Sequence, residues 1–207
     1  MQATADVIQL PQRVKSGKMP VRLAYAFSRS REFLFKAEID KVERAAKKTG
    51  RHGHRDGTLI MTGFRHGLRI SELANLKWSQ VDLEQGRIHI KRKKGSNDTV
   101  HALEGGEIRA FRKLKRDYPL TDYIFVSERG SSMTSSTIQK MVKRAGEVAG
   151  LSFRIHPHML KHSCGFYLAN DLKMDALAIK EYLGHVDIKN TLVYIRLATN
   201  RDDISFE

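Results

Sequence analysis

The sequence predicts a mainly α-helical fold with one small antiparallel β-hairpin. Three observations carry this. Apolar residues recur at three- and four-residue spacing along most of the chain. One stretch, residues 87–103, alternates with period two instead. Of the 207 residues, 41% are hydrophobic, an ordinary globular fraction and enough for a sizeable core.

Residues 1–30 hold two of the four prolines and scattered Arg13, Lys15, Lys18, Arg22 and Arg29, without sustained periodicity. They read as a flexible basic arm ahead of a folded domain at 31–207. Helical spacing begins near Phe35, where KAEIDKVERAAKK aligns Ala37, Ile39, Val42, Ala45 and Ala46, and Gly50 can end the helix. DGTLIMTGFRHG is apolar enough for a buried second helix. RISELANLKW repeats Ile70, Leu73 and Leu76 every third residue and predicts a third. The period then changes: GRIHIKRKKGSNDTVHAL alternates around Ile88 and Ile90, turns through Gly95–Asp98 and resumes at Val100. Helices return at about 105–117, 134–149, 157–171, 174–183 and 190–198. DYIFVSERG, between the first two of these, reads as a short strand and turn.

The charge is lopsided. Lys and Arg total 37 against 23 Asp and Glu, a net +14. Such an excess suits a polyanionic partner, because each neutralised phosphate releases condensed counterions; a merely solvated basic surface is the alternative. The lone Cys164 excludes an internal disulfide and suits a reducing compartment. No apolar run approaches the roughly 20 residues that span a bilayer, and the first residues lack a signal-peptide pattern. The expectation is a cytoplasmic protein, not a membrane one.

Four groups of residues could carry chemistry. Arg87, Lys91, Arg92, Lys93 and Lys94 crowd one hairpin arm and its turn against a single Asp98, as in a phosphate- or groove-binding ribbon; an edge strand guarded by lysines is the plainer reading. Arg69 and Glu72 stand three apart, where a carboxylate orients a guanidinium. His158 and Lys161, also three apart on a helix opened by Pro157, can converge on one ligand. His162, at i+4, drifts about 40° round the helix toward the core or a backbone carbonyl. EYLGHVDIKNTLVYI ends a helix at Gly184, offers His185 in the following loop and Tyr194 nine residues later. Singly, His185 suits a cap and Tyr194 a packing position. Together with basic residues they suggest nucleophilic attack on a phosphodiester. Nine histidines, including HGH at 52–54 and HPH at 156–158, raise a metal-dependent nuclease, but no acidic cluster accompanies them and no metal site is expected.

At this point the chain resembles the tyrosine recombinases of the phage-integrase family. GLRISEL, HPHMLKHSCGFYLAN and YLGHVDIKNTLVYI look like the three boxes of that family, with the hairpin lysine between the first two. The resemblance covers roughly residues 32–198, in the style of small members such as the fimbrial phase-switch invertases. It implies the catalytic-domain fold of that family and a DNA integrase or site-specific recombinase that works through a 3′-phosphotyrosyl intermediate, without ATP, metal or other cofactor. In that reading Tyr194 is the nucleophile, and Arg69 and Lys161 stabilise the non-bridging oxygens. Lys94 protonates the leaving 5′-oxygen, His158 accepts or shares the tyrosine proton, His185 hydrogen-bonds the phosphate and Glu72 supports. Lys161 stands where the family has an arginine, keeping the charge but losing the planar fork. A DNA-binding protein of the same fold with weakened cleavage is therefore the competing reading. The implied partners are double-stranded DNA, further copies in a tetramer, and an accessory DNA-binding protein or second recombinase in place of a missing N-terminal clamp. Association with the bacterial nucleoid follows.

Overall fold

A computed structural model describes residues 31–92 and 97–199. The arm at 1–30 and the hairpin residues Lys93 and Lys94 lie outside the described residues. Eight helices flank one three-stranded sheet among them. α1 is Lys36–Lys48, α2 Gly53–Arg65 and α3 Ile70–Ala74. A 3₁₀ turn, Trp78–Gln80, leads to β1 Val81–Asp82, β2 Arg87–Ile90 and β3 Thr99–Ala102. Then follow α4 Gly105–Asp117, α5 Ser135–Val148, α6 Pro157–Asn170, α7 Ala176–Leu183 and α8 Lys189–Thr199.

Local chemistry sets the helix ends. Glu38 accepts the Phe35 amide at 2.8 Å to start α1. Thr134 accepts the Thr137 amide at 3.1 Å to start α5. Asp175 takes the Leu177 and Ala178 amides at 2.8 and 2.9 Å to start α7, the usual N-cap arrangement. α7 stops at Gly184, whose φ of +62° is a left-handed conformation that favours glycine.

Two helices form the centre. α2 buries Leu59, Ile60 and Phe64, and α6 buries Met159, Leu160, Lys161, Cys164, Phe166 and Leu168. α6 is enclosed nearly all round, which marks a helix inside a core rather than on its edge. Its Ser163 hydroxyl is satisfied twice, donating to the Met159 carbonyl at 2.6 Å and accepting the Leu34 amide at 2.8 Å. α1 packs on α2 and α5, and α8 on α6.

The sequence reading differs from this structure in three places. α3 has five residues, not ten: Asn75 Nδ2 turns back to the Ser71 carbonyl at 2.8 Å, and Leu76 leaves the helix so that its carbonyl accepts the Ile124 amide at 3.0 Å. The chain continues extended, Lys77 bridging to Tyr123. The DYIFVSERG segment thus makes isolated bridges, Lys77 with Tyr123 and Val126 with Ser132, rather than a strand. The sheet also holds β1, two residues paired Val81 to Ile88 and Asp82 to Arg87, too short to show a period. In the hairpin Ile88 faces His101 and His89 faces Val100. Hence Ile88, Ile90 and His101 face inward while Val100 stays 55% exposed. Similarly, Ala37 faces outward from α1.

His101 is held by backbone and ring. Its Nε2 lies 3.1 Å from the Tyr182 carbonyl and its Nδ1 3.1 Å from His66 Nδ1. The ring stacks on Tyr182 with centroids 3.9 Å apart. His66 Nε2 in turn lies 3.0 Å from Glu107 Oε1, so β3 is tied to the ends of α2 and α7 and the start of α4. Among the described residues, no helix is long and apolar enough to cross a membrane.

Gly146 sits where α5 meets Ile155, and an added Cβ would lie 2.5 Å from Ile155 Cγ1 and 2.8 Å from Cδ1. Gly146→Ala should gain about 1 kcal/mol of helix propensity and lose roughly 1–3 kcal/mol to overpacking. The expected result is a lower urea midpoint, partly recovered by adding Ile155→Val, which removes Cδ1. A higher midpoint for Gly146→Ala would show that Ile155 yields freely.

Candidate active site

Of the residues singled out in the sequence, Arg69, Glu72, Arg92, Lys161, His185 and Tyr194 converge where the ends of α2 and α7 meet α3, α6 and α8. Gly67, at φ +55°, turns the chain after α2 so that Arg69 caps α3. Glu72 then reaches back one turn. Its Oε2 accepts the Arg69 amide at 2.8 Å and Arg92 Nη1 at 2.9 Å, and its Oε1 accepts Arg69 Nη1 at 2.9 Å. Burial works to raise the Glu72 carboxyl. The Arg69 amide, the Arg92 charge and the Arg69 guanidinium outweigh it, and the group is held below its ordinary range. Arg69 keeps 31% of its side chain exposed. It is braced on one edge and free to meet a ligand on the other.

Lys161 projects from α6 into the same place. Its ammonium donates to the Gly67 carbonyl at 2.9 Å and the Leu183 carbonyl at 3.0 Å. Burial, then the positive charges of Arg92 and Arg69, pull its pKa down to about 7, against the opposing pull of Glu72. The next loop supplies His185, whose Nδ1 lies 3.0 Å from Thr191 Oγ1 on α8. Burial, and after it Lys161, Arg69 and Arg92, push His185 down to about 4, so the ring is neutral near pH 7.

Tyr194 on α8 lies against α6. A Cβ at Gly165 would fall 2.6 Å from Tyr194 Cδ2 and Cζ, so the glycine is the seat of the ring. The hydroxyl is 3.0 Å from His162 Nδ1, and the ring centroid is 6.3 Å from that of His185. Burial pushes the phenol well above its ordinary range. His162 is pushed down to about 4 by burial and then by His158. A protonated phenol facing a neutral imidazole donates to it, which assigns Nδ1 as acceptor.

Two expectations need correction. His162 faces neither a carbonyl nor plain core; it holds the Tyr194 hydroxyl. His158, expected to accept or share that proton, is exposed on the first turn of α6 and meets Tyr194 only through His162, the two imidazole rings being perpendicular with centroids 4.4 Å apart. Partial desolvation, then His156 and Lys161, lower its pKa. The hairpin needs a third correction. Arg87 and Lys91 are exposed, but the Arg92 side chain is 0% exposed and cannot enter a DNA groove. It reaches inward to Glu72 because Ile88, Ile90 and Arg92 share one parity along the strand. Lys93 and Lys94 lie outside the described residues. Of the histidine pairs, His52 bonds Tyr118, His54 the Ala110 carbonyl and His156 Glu32. No group of three or more His, Cys, Asp or Glu that could hold a metal occurs among the described residues.

Comparison with known proteins gives this arrangement a context. Residues 32–201 match the phage integrase family. The type 1 fimbriae regulatory protein FimB of Escherichia coli (strain K12) is 37% identical over 174 residues, 82% of this chain and 86% of that protein. The type 1 fimbriae regulatory protein FimE of the same strain is 40% identical over 151 residues, 70% of this chain and 76% of that protein. Among solved structures, the XerH site-specific recombinase bound to difH substrate in a pre-cleavage complex aligns with a TM-score of 0.68 at 26% identity, over 85% of this chain. This chain spans about half, 53%, of that structure.

Two outcomes test the geometry. Gly165→Ala should push the Tyr194 ring off α6 and break its bond to His162; the Tyr194 hydroxyl proton should then exchange faster in NMR spectra, and a slow, unchanged signal would contradict the seat. Lys161 should titrate near pH 7 when its side-chain nitrogen is followed by NMR, charged below that value and neutral above it. A midpoint near the ordinary 10.5 would mean that water or a counter-ion reaches the ammonium.

Proposed function

The chain belongs to the phage integrase family, and we propose that the cluster around Tyr194 is the place where it cuts and rejoins DNA. The protein is a tyrosine recombinase, an enzyme of site-specific DNA recombination. One observation carries the assignment of the site: a continuous set of contacts runs from Arg69 through Glu72 and Arg92 to Gly67 and Lys161, and on through the α7–α8 loop to His185, which faces Tyr194.

In this reading the scissile phosphate rests against the open edge of Arg69. Tyr194 Oη attacks phosphorus, and its proton passes to His162, which already accepts the hydroxyl bond. The bond between phosphorus and the 5′-oxygen breaks. The DNA 3′ end is left esterified to the tyrosine, and Lys94 gives the 5′-oxygen a proton. Without that proton the alkoxide is a poor leaving group. Arg69 donates to the non-bridging oxygens where charge builds, as a preorganised donor does, and Lys161, its ammonium held by the Gly67 and Leu183 carbonyls, adds positive charge from behind. His185, neutral and fixed by Thr191, donates a hydrogen bond to the phosphate, and His158 stands at the rim as the next proton acceptor. One phosphate ester replaces another, so rejoining is the same step reversed and consumes neither ATP nor metal.

The partner is double-stranded DNA, met by the exposed Arg87 and Lys91, by Lys93 and by the basic arm at 1–30. Copies of the chain associate on it as a tetramer, and an accessory DNA-binding protein or second recombinase completes the grip. Nucleoid association accompanies that binding. A DNA-binding protein that has lost cleavage, the reading prompted by Lys161, is not favoured by family membership together with likeness to a site-specific recombinase.

Tyr194→Phe keeps the ring on Gly165 and removes the attacking oxygen. Covalent protein–DNA adducts on a nicked recombination site should vanish, while DNA binding changes less than about tenfold; adducts surviving in this variant would move the nucleophile elsewhere. The parent protein should form the same adducts in excess EDTA. Loss of adducts on chelation would instead favour a metal-dependent step.

A further inference from the structure

Arg92 has no assigned part in the chemistry above, yet its side chain is 0% exposed, beside the similarly buried Lys161. Its Nη1 donates to Glu72 Oε2 at 2.9 Å and the Gly67 carbonyl at 3.2 Å. Its Nη2 donates to the His66 carbonyl at 3.3 Å and the Tyr182 carbonyl at 3.1 Å. Lys161 shares the Gly67 carbonyl and takes that of Leu183. The carbonyls of 66 and 67 follow the end of α2, and those of 182 and 183 end α7. Both groups are acceptors left open by helix termini, where a cation is favoured by the helix dipole. Four carbonyls and one carboxylate thus form a cup, and one guanidinium and one ammonium fill it.

The cup explains why a lysine stands at 161. A guanidinium arriving from α6 would compete for the acceptors and the volume that Arg92 already uses. The strand side confirms the fit: a Cβ on Gly184 would lie 2.9 Å from Arg92 Nε and 3.0 Å from its Cγ, so Arg92 passes directly against the glycine before His185. By joining Glu72, the end of α2 and the end of α7, Arg92 sets the separation between Arg69 and His185. Its own amide is bound by Asp98 Oδ1 at 2.8 Å, which places the hairpin in the same assembly.

We propose that Arg92 is a positioning residue for strand cleavage, and that Arg92 and Lys161 form one unit, the fork supplied from the sheet and the point charge from α6. This rests on the recombinase reading of the site. The unit makes a specific demand on substitution: the two positions must change together. Lys161→Arg alone places two forks in one cup, and Arg92→Lys alone leaves none to hold the His66 and Tyr182 carbonyls. Exchanging them, Arg92→Lys with Lys161→Arg, conserves charge and composition and moves the fork to α6.

The test is the rate of covalent adduct formation on a nicked recombination site, measured for the parent, both single variants and the exchange. Each single variant should cleave about 10²-fold more slowly, the scale for losing one preorganised donor. The exchange should return to within about tenfold of the parent. An exchange variant as slow as the product of the two single losses would overturn the proposal, since independent sites add. Single variants that both cleave at the parental rate would overturn it too. Thermal melting and DNA affinity, recorded on the same four proteins, identify a variant that fails to fold. In that case recovery of melting temperature in the exchange supports the coupling, and its absence counts against it. A parent that forms no adduct at all would sink the recombinase reading itself, whereas a cleaving parent without rescue sinks only the pairing of Arg92 with Lys161.

Discussion

The site depends on one buried carboxylate. Glu72 accepts three hydrogen bonds with its two oxygens, from the Arg69 amide, the Arg69 guanidinium and Arg92, and its charge is felt by Lys161. Three basic side chains gather round that single anion. A buried charge without a partner is strongly unfavourable, so Glu72 is what allows Arg92 inside at all. It does not neutralise the cluster. Arg69, Arg92 and Lys161 against the single Glu72 leave the cluster net positive.

The enclosure of α6 sets the second constraint. A helix buried on all sides can place side chains in several directions at once, and α6 sends Lys161 toward α7, His162 toward α8 and Leu160 toward α2. Close packing demands small residues between them. Gly165 admits Tyr194, and Gly63 on α2 lies where a Cβ would come 3.1 Å from Leu160 Cδ1. The positions of the functional groups are therefore consequences of core packing rather than of flexible loops.

Much of this was legible in the sequence. Long amphipathic segments such as α1 and α5 announce themselves by period, and the helical fold with its hairpin follows. The basic and histidine-bearing motifs stood out because their residue types and order are chemically restrictive, and Arg69, Lys161, His185 and Tyr194 do come together in the fold. What stayed hidden depended on contacts between distant segments. α3 ended early because Leu76 found Ile124, a partner 48 residues away, and no local signal reports that. Arg92 could have been read, since its parity matches Ile88 and Ile90; its charge suggested solvent, and only Glu72, far away in sequence, made burial tolerable. His162 had a faint signal too: a glycine three residues later inside a buried helix indicates that something large approaches one turn away.

Three enclosed histidines carry a consequence for how the protein meets acid. His101, His162 and His185 are held neutral by burial, with pKa values of about 3, 4 and 4 against an ordinary 6.5. In each case the unfolded chain takes up a proton more readily than the native one between those limits. The contribution of these histidines to folding stability is therefore complete above pH 6.5 and drains as pH falls toward 4 and below. Because His162 and His185 flank Tyr194 while His101 anchors the sheet, acid would loosen the packing of α8 on α6 and the hold on β3 in the same titration.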